Sequence, residues 1–169
     1  MKRVIILIAL VATVALPFIL RPKQSVAEKA DDFLVIITPH NEAIRHEFTT
    51  GFRDWYKQKT GRVVMIDWRV IGGTSEIARF LDSEYVSSFH NYWTNQLHQS
   101  WSMEVQSAFA NRRLGDDASA EGLAARKAFL ASDVGCGIDL FFGGGSFDFI
   151  RQAQAGRLVS SRILKTHPE

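Results

Sequence analysis

The run Ile138-Asp139-Leu140-Phe141-Phe142-Gly143-Gly144-Gly145-Ser146-Phe147-Asp148-Phe149-Ile150 reads as a buried strand, a glycine loop and a helix start in unbroken succession. Ile138, Leu140, Phe141 and Phe142 suit a strand covered on both faces, as in parallel sheets. Gly143, Gly144 and Gly145 free the backbone to take left-handed angles and let another molecule approach the main chain closely. Ser146 is a good N-cap, after which Phe147, Ile150 and Ala153 recur at helical spacing until Gly156 offers a stop. In open α/β sheets, ligands bind outside the carboxyl ends of strands, where helix N-termini present free N–H groups and positive partial charge. Two readings of the glycines stand side by side: an anion or polar-ligand site, and a plain tight turn between strand and helix.

Toward the N-terminus the chain alternates strand and helix. Phe33 to Ile37 is a short apolar strand closed by Thr38-Pro39-His40. Asn41 or Thr38 can cap a helix whose apolar face is Ile44, Phe48, Phe52, Trp55 and Tyr56, and Thr60-Gly61 ends it. Arg62 to Ile71 gives a second strand through Val63 and Met65 and, less regularly, Val64, Ile66, Trp68 and Val70. Gly72-Gly73-Thr74-Ser75 follows, and Ile77, Phe80 and Leu81 mark a helix behind a hydroxyl cap. From Ser87 to Arg112, Phe89, Trp93, Leu97, Trp101, Val105 and Phe109 form a ladder of four-residue steps, which predicts one long amphipathic helix. Its aromatic stripe reads as core contact or as a partner surface. Gly115 to Ser119 is a polar loop and Glu121 to Leu130 another helix. The βαβαβ order with right-handed crossovers predicts an α/β fold with a doubly wound parallel sheet in the order 2-1-3, the first strand in the middle.

The extreme N-terminus speaks to compartment. Lys2 and Arg3 precede an uncharged apolar run of 17 residues, Val4 to Leu20, and Ser25-Val26-Ala27 supplies small residues for a signal peptidase. Residues 1–27 are therefore expected to be a signal peptide cleaved after Ala27 or an uncleaved membrane anchor, and both place the rest of the chain in the periplasm or cell envelope. About 140 residues remain, enough for one compact domain with its own core. Cys136 is the only cysteine, which excludes an internal disulfide and cysteine-built metal clusters. A net charge of +2 with no basic stripe argues against nucleic acid as a partner. Contact with a membrane is expected only through the leader.

Three loops fall at equivalent strand ends: Thr38-Pro39-His40-Asn41, Gly72-Gly73-Thr74-Ser75 and Gly143-Gly144-Gly145-Ser146. Each joins small or hydroxyl residues to a helix start, the chemistry that holds oxyanions or hydroxyls through backbone N–H groups. The candidate ligand-binding residues are thus Thr38, His40, Gly72, Gly73, Thr74, Ser75, Gly143, Gly144, Gly145 and Ser146. No enzyme signature accompanies them: there is no G-x-S-x-G elbow, no phosphate loop ending in Gly-Lys-Ser/Thr and no H-E-x-x-H pair. Asp139 suits structural hydrogen bonds, and Glu76 and Asp148 sit in first helical turns, where the helix dipole accounts for them. The expected protein is a binding protein without catalysis and without a resident cofactor.

The exported leader, Val35-Ile36-Ile37-Thr38-Pro39-His40-Asn41-Glu42-Ala43, the Phe52-x-x-Trp55-Tyr56 helix ending at Thr60-Gly61, the Gly72-to-Ser75 loop and Ile138-to-Gly145 together resemble the solute-binding proteins of bacterial ABC transporters, in their iron(III)-type branch. The resemblance runs from about Asp32 to the C-terminus and implies a type II periplasmic binding fold. It implies further that residues 32–169 are the N-terminal part of lobe one without the second lobe, either a fragment of a longer protein, the favoured reading, or a truncated gene product with impaired binding. By the same resemblance, His40 stands where a first-loop histidine can help ligate iron(III), which would be the transported solute. The partners it implies are a small-molecule or ion solute and the permease subunits of the transporter. From a different class comes an extracytoplasmic sensing or enzymatic domain of a membrane-anchored protein. A third reading makes the Ser87-to-Arg112 helix a protein interaction module.

Overall fold

The computed structural model describes residues 11, 29–115 and 117–161. The expected leader, residues 1–27, lies outside them apart from Val11, and Ser25-Val26-Ala27 is among the undescribed residues. The chain divides into two compact units, Met1–Ala30 and Asp31–Glu169, and the fold below is that of the second. Among the described residues no helix is long and apolar enough to cross a membrane.

The elements run β1 (Asp32–Ile37), α1 (Glu42–Thr60), β2 (Val64–Arg69), α2 (Thr74–Asn91) continued by a π-helical turn (Tyr92–Gln96), α3 (Met103–Ala108), α4 (Ala120–Ala131), β3 (Leu140–Phe141) and α5 (Ser146–Ala155). They form an α/β unit whose three strands are all parallel in the order β2-β1-β3, as the alternation predicts. Asp32 to Ile37 pair in register with Val64 to Arg69. The Arg62 guanidinium and the Tyr56 hydroxyl both donate to the Asp32 carboxylate, fastening the start of β1 to the end of α1.

Alternation along the strands sorts the layers. Trp68 donates its indole N–H to Thr49 of α1 at 2.8 Å, and Phe142 meets Phe48 of α1 at 4.5 Å between ring centroids. On the opposite face Ile37 packs with Ile77 and Leu81 of α2, and Phe141 meets Phe149 of α5. The crossover from β1 therefore lies on one face and the helices after β2 and β3 on the other. The side of β1 to which strands are added switches at the seam between β1 and β3.

Four local expectations need correction. The third strand is only two residues long, and Leu140 is 46% exposed rather than covered on both faces. The cause lies at Asp139, whose carboxylate accepts the Val35 N–H at 2.8 Å while its own N–H donates to the Val35 carbonyl at 2.9 Å. A side chain thus replaces the rung that Ile138 would supply, in line with the structural role expected for Asp139. The second strand is likewise trimmed to Val64–Arg69. Third, no residue of α1 is fully buried, and Phe48 and Trp55 are about half exposed, because a sheet this narrow offers the helix little to cover.

The fourth correction concerns Ser87 to Arg112, which is not one helix. After α2 and its π turn, His98 takes a left-handed backbone angle and Ser102 caps a new helix by accepting the Val105 N–H at 3.1 Å. Four-residue steps advance about 40° beyond a full turn each, so a straight helix would carry Phe109 about 200° away from Phe89. The break folds the ladder back on itself. Phe89, Phe109 and Phe129 then meet at centroid distances of 4.7 to 5.4 Å in an aromatic core with Tyr85, Trp93, Val105 and Ala125. The stripe is core, which leaves the interaction-module reading without its helix. Cys136 packs against both this core and the Ile37-Ile77-Leu81 cluster.

Candidate functional site

The three predicted loops lie at the carboxyl edge of the sheet: the first and third meet across the β1/β3 seam, and Thr74 of the second reaches Gly144 of the third. Thr38, fully buried, follows Ile37 and donates its N–H to the Arg69 carbonyl, while its hydroxyl accepts the His40 N–H at 3.1 Å. That small turn lifts His40 out of the strand line. Asn41 then caps α1 by accepting the Ile44 N–H at 3.1 Å, so the cap is Asn41 of the two candidates. The His40 ring leans on Phe142 at 4.9 Å and lies directly over Gly143.

Gly143 and Gly144 have φ of +99° and +107°, a region that penalises any side chain. Space forbids one as well. A Cβ on Gly143 would come within 2.7 Å of His40 Nε2, and a Cβ on Gly144 within 3.2 Å of Asp148 Oδ2 and 3.5 Å of Thr74 Cγ2. His40, Thr74, Gly143 and Gly144 therefore form one contiguous surface, with Thr38 buried beneath His40 instead of lining it as predicted, and the room over the glycines is taken in part by His40, Asp148 and Thr74. The two readings of the glycine loop, tight packing and ligand approach, coexist here: the protein's own groups fill the near side.

Ser146 and the Thr74-Ser75 pair do not cap their helices. The caps are the extended residues Gly145 and Gly73, so Ser146 and Thr74 each occupy the first helical position. At α5 the Asp148 carboxylate accepts the Gly145 N–H at 2.9 Å and supplies the missing side-chain partner. At α2 no side chain caps the first turn, Ser75 is exposed, and the Glu76 carboxylate lies beside Gly72 and Gly73 while pairing with Arg79 at 2.7 Å. Gly72, Gly73, Gly145 and Ser146 thus rim the edge, flanked by two carboxylates. That arrangement offsets the positive ends of two helices and favours neutral hydroxyl groups over strong anions.

Among the described residues, no group of three or more His, Cys, Asp or Glu side chains could hold a metal ion. His40 has for company Pro39, Phe142 and Gly143. Sequence reasoning missed Phe142 as the platform beneath His40, although its place one residue before Gly143 carried the signal. Two surface clefts, of about 480 and 430 Å³, are lined by other residues: the first by Arg112, Leu114, Leu123, Arg126, Lys127 and Leu130 among others, the second chiefly by Ser88, Tyr92, Gln96 and the Ser132-to-Gly135 segment. Compared with protein-family models, curated proteins and solved structures, the chain finds no match in any of the three.

Proposed function

We propose that residues 32–169 are the N-terminal part of the first lobe of an exported solute-binding protein with a type II periplasmic fold, which hands its solute to an ABC permease. The observation that carries this reading is the meeting of His40, Thr74, Gly143 and Gly144, with Thr38 buried beneath, at the seam where β1 and β3 send their helices to opposite faces. Such a seam is the crevice in which open parallel sheets bind ligands. The uncapped first turn of α2 offers N–H groups to an acceptor, and Asp148 and Glu76 disfavour a multiply charged anion. The solute is accordingly oxygen-rich and neutral or weakly anionic, held by hydroxyl and backbone hydrogen bonds. An iron(III)-type solute would draw its remaining ligands from outside the described residues.

Amide chemical-shift mapping of the exported protein against a panel of sugars and hydroxy acids tests this. A binder should move the amides of Thr74, Ser75 and Gly143 to Gly145 together. Thr74→Ala should then cost about 0.5 to 1.5 kcal/mol of binding, up to about tenfold in affinity. A folded Gly144→Val variant with unchanged affinity would remove this edge from the site. Export is tested separately by N-terminal sequencing of the cell-envelope protein, expected to begin after Ala27 or to retain the leader within the membrane fraction. A chain beginning at Met1 in the cytosol would refute it.

A further inference from the structure

Helix α4 departs from the usual partition by carrying apolar residues on its outer side as well as its inner one. Gly122, Ala125 and Phe129 face inward, while Leu123 and Leu130 are 39% and 56% exposed on the outer side. The inner face uses small residues for close approach: a Cβ on Gly122 would stand 3.1 Å from Ala108 Cβ of α3. Leu123, Lys127 and Leu130, at i, i+4 and i+7, therefore form an outer stripe, and a helix apolar on both sides calls for cover on the second.

The outer stripe borders the cleft of about 480 Å³, where Leu114, Leu123 and Leu130 meet Arg112, Arg126 and Lys127 and, among the described residues, no carboxylate lines the wall. It is an open surface groove that would leave one side of an occupant in water. Arg126 donates to the carbonyls of Phe109, Ala155 and Gln154, and Arg112 to the Gln154 side-chain oxygen, all of them neutral acceptors. Among the described residues none of the three cations forms an ion pair. The positive charge here is uncompensated, and burial together with the neighbouring Arg157 holds the Arg126 pKa below its ordinary value. An apolar floor under an uncompensated cationic rim is complementary to a molecule that is apolar at one end and anionic at the other.

We propose that this cleft binds a single-chain anionic amphiphile, with its alkyl chain along Leu123 and Leu130 and its carboxylate at the rim formed by Arg112 and Lys127. The cleft shares no residue with the sheet edge, so its occupancy is independent of the solute reading. The test is amide shift mapping of the whole exported protein with decanoate kept below its micelle concentration. Decanoate should give saturable shifts at Leu123, Lys127 and Leu130, and decyltrimethylammonium should bind at least about tenfold more weakly. Lys127→Glu and Leu123→Ser, both at exposed positions, should each weaken decanoate severalfold without lowering the unfolding temperature. Equal binding of the two head groups, or shifts confined to other residues, overturns the proposal. So does binding only to phosphatidylglycerol vesicles, which would make the face a membrane contact. Concentration-dependent shifts at these amides without added ligand overturn it in favour of a second copy of the chain.

Discussion

At the residue scale, His40 and Gly143 show how one contact constrains two positions. Gly143→Ala meets both an unfavourable φ and the imidazole, and it should destabilise the fold by about 1 to 3 kcal/mol. In a His40→Ala background the imidazole clash is removed while the Pro39 Cδ contact at 3.1 Å and the backbone part stay, so the double-mutant cycle should show positive coupling in urea unfolding. Asp32 gives a pH signature. The Arg62 hydrogen bonds first, and Tyr56 with them, hold its carboxyl below the ordinary 3.8. Because the folded value is depressed, the ionised group favours the fold throughout the range above 3.8, and that contribution is lost as pH falls through the lowered value. Asp32→Asn should flatten the acid limb of a stability profile below about pH 4.

At the scale of elements, Ser102 decides where the aromatic ladder breaks. Ser102→Ala removes the cap of α3 and should cost about 0.5 to 2 kcal/mol, whereas Phe109→Ala opens the aromatic core and should cost about 3 to 5 kcal/mol. Chemical denaturation of the two variants separates them. The same segment marks the limit of what periodicity carries. The strands, their parallel order and the carboxyl-edge loops were legible because apolar runs and Gly-Ser-Thr punctuation are local signals. The fold-back was not, since four-residue spacing counts apolar positions and ignores the angle they accumulate, although Ser102 ahead of Met103-Glu104 gave the cue. The trimming of β3 was half legible. Asp139 was expected to make structural hydrogen bonds, but that its carboxylate would substitute for a strand rung depends on Val35, which lies far away in sequence. At the candidate site, the loops were legible and the caps were not, because a serine next to a glycine can sit at the cap or one residue inside the helix with little change in local sequence.

At the scale of the whole molecule, the sheet core and the aromatic core meet at Cys136, and Tyr85 of the aromatic core lies beside it. Burial, then the neighbouring Cys136 thiol, pushes the Tyr85 pKa up to about 12. The raised folded value means that the neutral phenol stabilises the fold below the unfolded value of 10.0, and that this stability is lost as pH climbs from there toward 12. Tyr85→Phe should remove that alkaline decline, measured by thermal unfolding across the same range. The rung between Asp139 and Val35 has a further consequence, for time rather than for energy. It joins groups 104 positions apart, so β3 can dock only after the intervening helices have closed that loop. The amides of Asp139 and Phe142, each bonded to β1, should then be protected late during refolding and exchange early in the native state, ahead of those shared by β1 and β2. The glycine loop hangs from that late-docking strand, so each opening of the Asp139–Val35 rung and the two amide bonds beside it should loosen Gly143 and Gly144 well before the rest of the sheet gives way.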